Sequence, residues 1–190
     1  IPKLIKTVFV DINEFPLNKC LDFGCSFGWM VKSMVDMDFN CFGQDISNYA
    51  ITNSDPQLLE WERIEKNDNF EVLFGNDHDL IFSVDTLDRI PTDKIDELIT
   101  NIYNGLNHNG IFFGIWGLGH NNDRGSDLDQ CKQLLQPRDW WVDKFKDHGF
   151  ISRLDIEACI YETDVHVDGM DSGSYIAREN DWNVFVFQTG

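Results

Sequence analysis

The residues best placed to do chemistry open with an aspartate and a glycine turn, Asp22-Phe23-Gly24-Cys25-Ser26-Phe27-Gly28. Cys20, Leu21 and Phe23 are apolar, so the stretch reads as a short buried strand that runs through a tight turn into a helix. Such a turn sets backbone N–H groups and the positive end of a helix dipole beside a ligand. Gly24 supplies backbone angles that other residues avoid and leaves room for a ligand against the main chain, and Gly28 lets the helix start lie close to the strand. A carboxylate at the carboxyl end of a central strand is rarely there for packing. Asp22 either holds the turn through backbone N–H groups or accepts from a cationic or amine-bearing ligand. A second carboxylate, Asp45, closes the apolar stretch that begins at Phe39. A carboxylate about 20 residues beyond a glycine turn can accept both hydroxyls of a ribose. The pair therefore suits an adenosine-containing ligand. The plainer role for Asp45 is a helix cap, for which Ser47 competes.

Other titratable groups are candidates for proton transfer. His120 directly follows the apolar run Gly110–Gly119 and would sit at the carboxyl edge of a sheet, where open α/β sheets bind ligands. Asp85 and Asp88 are alternatives, and His166 lies in an acidic stretch with Asp164 and Asp168. The five cysteines are odd in number and form no CxxC, which points to free thiols in a reducing, cytoplasmic compartment. No Cys/His cluster has zinc-ligand spacing, so no metal is expected.

These residues need elements to position them. Strands are predicted over 18–24, 39–45, 70–75, 79–85, 110–119, 152–161 and 183–188, the last two as a long hairpin. Helices are predicted over 27–37, 56–66, 92–106 and 137–150. In the 92–106 helix Ile95, Leu98, Ile99, Ile102 and Leu106 form one apolar stripe. Residues 1–17 form an N-terminal extension without a readable role. The remainder, with no repeat or linker, reads as a single α/β domain spanning 1–190, and 190 residues suffice for its core. The chain begins at Ile1, as a trimmed chain or a piece of a longer protein would.

The formal net charge is −18, with 15 basic residues scattered among 33 acids. A surface that tracks phosphates needs clustered Lys and Arg, so neither nucleic acid nor an anionic membrane is expected as a partner. No apolar run is long enough to span a bilayer, and no signal-peptide pattern is present.

LDFGCSFG resembles motif I of the class I S-adenosylmethionine-dependent methyltransferases, with Asp22, Gly24 and Gly28 matching and Ser26 in place of the middle glycine. DLIFSVDTLDRIP, residues 79–91, resembles the fourth-strand stretch of the same family, with Arg89 where His is common. The resemblance implies a Rossmann-like methyltransferase fold: a mostly parallel seven-stranded sheet with an antiparallel C-terminal strand and helices on both faces. It implies S-adenosyl-L-methionine as cofactor, held by Asp22, Gly24, Cys25, Ser26, Gly28, Asp45, Ile46, Asp77, Val84 and Asp85. Asp45 would take the ribose, Ile46 the adenine face and Asp77 the adenine amino group. The implied activity is O- or N-methylation of a small molecule or sugar, with His120 as the candidate base. Trp116, His120, Asp123, Tyr161 and Asp164 are expected over the mouth of the site. The alternatives are an NAD-binding Rossmann oxidoreductase and a catalytically inactive methyltransferase-like binding module.

Overall fold

In a computed structural model the chain is described over residues 1–119, 133–163 and 183–190. A short helix α1 (Pro2–Ile5) runs into a π-helical turn, Lys6–Ile12. Strand β1 (Cys20–Phe23) then leads to α2 (Trp29–Val35), β2 (Cys41–Asp45), α3 (Asn48–Thr52), α4 (Pro56–Glu60) and β3 (Ile64–Lys66). After a long connection come β4 (His78–Val84), two 3-10 turns, α5 (Ile95–Gly105) and β5 (Leu106–Ile115). The chain closes with α6 (Arg138–Asp147), β6 (Ile151–Ser152), α7 (Leu154–Glu162) and β7 (Val184–Gln188).

The strands form one sheet in the order β3-β2-β1-β4-β5-β7-β6. The β3, β2, β1, β4 and β5 strands are mutually parallel, whereas β7 is antiparallel to both its neighbours. Alternation along each strand sorts the core into two layers. Cys20, Leu80, Phe82, Ile111, Phe113 and Val186 join α1, α2 and α7 on one face. Leu21, Ile81, Phe112, Phe185 and Phe187 join α5 and α6 on the other. Burial on both faces is why the central strands read as continuous apolar runs rather than alternating ones. The apolar stripe of α5 is buried as its period predicts.

Two predicted strands are not strands. The third strand is Ile64–Lys66, inside the segment predicted as helix, and Phe70–Gly75 is an irregular connection laid across the second face, with Phe74 and Gly75 at positive φ. Its apolar residues are used there: Phe74 stacks on Phe42 with centroids 4.7 Å apart, and Val72 fills the space beside Gly105. Its backbone is bound by side chains instead of a neighbouring strand: Asn101 donates to the Phe70 carbonyl, Asn67 to that of Glu71 and Lys19 to that of Phe74. The Gln44 amide donates to the Glu71 carbonyl at 2.8 Å and accepts from the Leu73 N–H at 2.9 Å.

The predicted strand 152–161 is cut to two residues, and the rest is α7. Ile156 and Ile160, four apart, bury one helical face. Beyond β6 the open edge of β7 is covered by side chains. Glu157, wholly buried, accepts from the Val186 N–H at 2.9 Å. Arg138 donates to the Val184 carbonyl at 2.7 Å and pairs with Glu157 at 2.5 Å.

Candidate functional site

The parallel strands β1, β2 and β4 end together, and their carboxyl ends carry the motif residues. After β1 the chain turns at Gly24, whose φ is +88°. The N–H groups of Gly24 and Cys25 both donate to the Gln44 carbonyl at 2.9 Å. Ser26 follows at φ +50°, a left-handed conformation that explains why the motif usually has glycine at this point. Its N–H donates to Asp45 Oδ2 at 2.8 Å, while Asp45 Oδ1 accepts from the Ser47 N–H at 2.8 Å. Ser47 supplies the side-chain cap of α3, accepting from the Ala50 N–H. Both readings of Asp45 therefore meet in one carboxylate: it ties the glycine turn to the end of β2, and each oxygen keeps a further lone pair for a hydroxyl. Gly28 is also left-handed, and a Cβ there would come within 2.8 Å of Leu58, so it serves close packing on α4.

Asp22 is wholly buried, and among the described residues neither carboxylate oxygen has a hydrogen-bond partner. Burial, and then the nearby Asp45 charge, push its carboxyl well above the usual carboxylate range. An orphaned buried acid at a ligand edge is a group awaiting a partner. Cys25 lies beneath the turn, and burial holds its thiol protonated far above its ordinary value, so it is no nucleophile.

A cleft open to solvent lies at this edge. It is lined by Phe23, Gly24, Gln44, Asp45, Ile46, Asn67, Asp68, Asn69, Phe70, Thr86 and Ile90. Ile46 is largely exposed at its rim. Val84 and Asp85 end β4 beside it, with Asp85 at φ +52° and its N–H bonded to the Ile115 carbonyl.

Asp77 does not belong to this constellation. It precedes β4 and so sits at the amino end of the parallel strands, the edge opposite the cleft, where it pairs with Lys19. The carboxylate that does follow the third strand into the cleft is Asp68. Sequence reasoning missed Asp68, Asn67, Asn69 and Phe70 because it placed that strand at 70–75. The signal was the short Ile64-Glu65-Lys66 stretch preceding a polar turn.

Trp116, expected over the mouth, is wholly buried and stacks on Phe185 at 4.3 Å. Tyr161 lies half-buried on α7. Asp88 is buried and accepts from the Gly117 N–H at 3.1 Å, tying the turn after β4 to the end of β5. His120, Asp123, Asp164, His166 and Asp168 lie outside the described residues. Among the described residues no group of three or more His, Cys, Asp and Glu could hold a metal ion. No helix among them is long and apolar enough to cross a membrane.

The topology is that of the class I methyltransferase fold. A dinucleotide-binding Rossmann sheet continues in parallel, in the order 3-2-1-4-5-6. Here β7 inserts antiparallel between β5 and β6. An O-methyltransferase of a polyketide synthase multienzyme from Brevibacillus brevis, solved with S-adenosyl-L-homocysteine, superposes with a TM-score of 0.62 at 17% identity. The match covers 98% of this chain and 70% of that one. A Haemonchus contortus phosphoethanolamine N-methyltransferase, solved with phosphomonomethylethanolamine and S-adenosylhomocysteine, gives 0.63 at 20% identity over 84% of this chain and 42% of that one. The [4+2]-cyclase SpnF gives 0.60 at 17% identity over 80% of this chain, which spans 57% of its length. At these identities the likeness is one of fold. No protein-family model and no curated protein matches the sequence.

Proposed function

We propose that this chain is an S-adenosyl-L-methionine-dependent methyltransferase acting on a small molecule or sugar. The observation that carries the reading is the partnerless, wholly buried Asp22 carboxylate beside a glycine turn locked to Asp45. An ammonium-bearing nucleoside fits that donor set: cationic at one end, hydroxylic in the middle, aromatic at the other. Gly24, Cys25, Ser26 and Gly28 form the turn around it. Asp45 takes the ribose hydroxyls. Ile46 and Phe70 face the adenine, with Asp68 and Asn69 in reach of its exocyclic amine, the role first expected of Asp77. Val84 and Asp85 flank the amino-acid end.

Bound there, S-adenosylmethionine supplies an activated methyl group on a good leaving group. The chain's own contribution is then alignment and exclusion of water. A general base is needed only for a weakly acidic hydroxyl or a protonated amine, and His120 is the residue proposed for it.

Calorimetry with S-adenosylhomocysteine against NAD tests the assignment, with binding expected only for the former. Asp45→Ala should weaken that binding by roughly 1.5–3 kcal/mol, the loss of charge-assisted hydrogen bonds. Unchanged affinity in a folded variant removes Asp45 from the site, and NAD binding in place of S-adenosylhomocysteine refutes the assignment.

A further inference from the structure

The cleft holds only half of the constellation. Its lining runs from Phe70 and Ile90 across Asn67 and Asp45 to Gly24 and Thr86, and does not include Asp22, Cys25, Ser26 or Asp85. At that limit the Thr86 side chain lies on Gly24. A Cβ built on Gly24 would stand 2.2 Å from Thr86 Oγ1 and 2.6 Å from its Cγ2. The side of Gly24 on which a side chain would stand is thus taken by a residue of this same chain, at the limit of the cleft that Gly24 still lines.

Thr86 is held there locally. Its hydroxyl donates to the Val84 carbonyl at 3.1 Å. The preceding Asp85 adopts φ +52°, a conformation that costs energy in a residue other than glycine. Arg89 Nε donates to the Asp85 carbonyl at 2.8 Å. The side chain that lies on the glycine thus follows directly on a strained backbone residue, whose strain a change of conformation would release.

We propose that Thr86 gates the cleft: the nucleoside end is open in this conformation, and the amino-acid end opens only when Thr86 leaves Gly24. The inference rests on the proposed function. A ligand without the amino-acid chain, such as 5′-methylthioadenosine, binds without moving Thr86. S-adenosylhomocysteine must displace it, so its apparent affinity is reduced by the fraction of molecules in which the gate is open. Thr86 thereby sets the discrimination between the two ligands.

The test is calorimetry and stopped-flow tryptophan fluorescence with both ligands on the wild type, Thr86→Ala and Thr86→Val. Thr86→Ala uncovers Gly24 and should tighten S-adenosylhomocysteine at least fivefold, mainly through faster association, with 5′-methylthioadenosine within twofold of wild type. Thr86→Val keeps the bulk and should resemble wild type. Thr86→Ser, which keeps the hydroxyl bond and loses the methyl, should fall between and serves if the alanine variant folds poorly. Thr86→Ala that leaves S-adenosylhomocysteine unchanged, that shifts both ligands alike, or that is matched by Thr86→Val overturns the gate while leaving the site assignment standing. Binding of neither ligand by the wild type overturns both.

Discussion

A carboxylate buried without a partner is costly at neutral pH, and Asp22 carries that cost in the absence of ligand. Its folded-state pKa is raised, so the folded state holds a proton more tightly than the unfolded one. Stability is then greatest below the unfolded value and falls as pH rises through the interval between the unfolded and folded pKa values. Asp22→Asn removes this linkage. The variant should melt above the wild type at pH 7–8, by roughly 1–3 kcal/mol in stability, with the gain shrinking as pH approaches 4. It should also bind S-adenosylhomocysteine more weakly, the usual opposition of stability and function at a site. Thermal denaturation from pH 4 to 8 checks the first part and calorimetry the second. A wild-type melting curve that runs parallel to that of the variant across this range would show Asp22 to be an ordinary core residue. At this scale the sequence was informative. Asp22, Gly24, Gly28 and Asp45 are singled out by residue type and spacing along a strand and turn that the chain sets locally, and Ser26 by the resemblance to motif I. Ser26 adds a detail that spacing lacked, its left-handed backbone.

At the scale of elements, β1, β2, β4, β5 and α5 were legible because burial on both faces, or on one stripe, writes a strong pattern into the chain. The failures share one cause. Phe70–Gly75 and Leu154–Tyr161 are apolar, but what completes their backbone or their packing comes from far away in sequence. For the first it is the Gln44 amide. For the second it is Glu157 and Arg138, which cover the edge of β7 in place of a longer β6. No local pattern encodes such a partner, and the error reaches the site, since a third strand placed at 70–75 points to Asp77, whereas Asp68 is the carboxylate that follows the third strand into the cleft lining. The Gln44 link is itself testable. Gln44→Leu leaves the Leu73 N–H without its partner and the Glu71 carbonyl with the Asn67 amide alone, at an expected cost of about 1–3 kcal/mol. The connection that carries Asp68 and Phe70 into the cleft would loosen, so S-adenosylhomocysteine affinity should fall, beyond the loss of Gln44's own place in the cleft lining. Hydrogen exchange at the Leu73 amide reads the loosening directly. Protection equal to that of the wild type would mean that Phe74 on Phe42 and the Asn67, Asn101 and Lys19 side chains hold the segment without Gln44.

The whole molecule bears on the acceptor through its charge. The fold alone does not choose a reaction, since methyltransferases and a cyclase share it. The charge narrows the partner. The formal value is −18, and much of the basic complement is already paired with acids: Lys19 with Asp77, Lys32 with Asp36, Lys66 with Asp68, Arg153 with Asp155. The cleft is lined by Asp45 and Asp68 with no Lys or Arg. A polyanion approaching this surface is repelled at a distance, and on arrival finds few unpaired cations among the described residues. A neutral or cationic small molecule meets neither obstacle. Methyl transfer from labelled S-adenosylmethionine, measured on a panel of sugars, amines and hydroxylated metabolites beside tRNA and duplex DNA, should give turnover on members of the small-molecule panel and none above background on the nucleic acids. The nucleic-acid arm belongs at low ionic strength, where any phosphate contact is strongest. Turnover of tRNA or DNA there, weakening as salt is added and absent on every small molecule, would reverse the acceptor assignment and leave the methyltransferase reading intact.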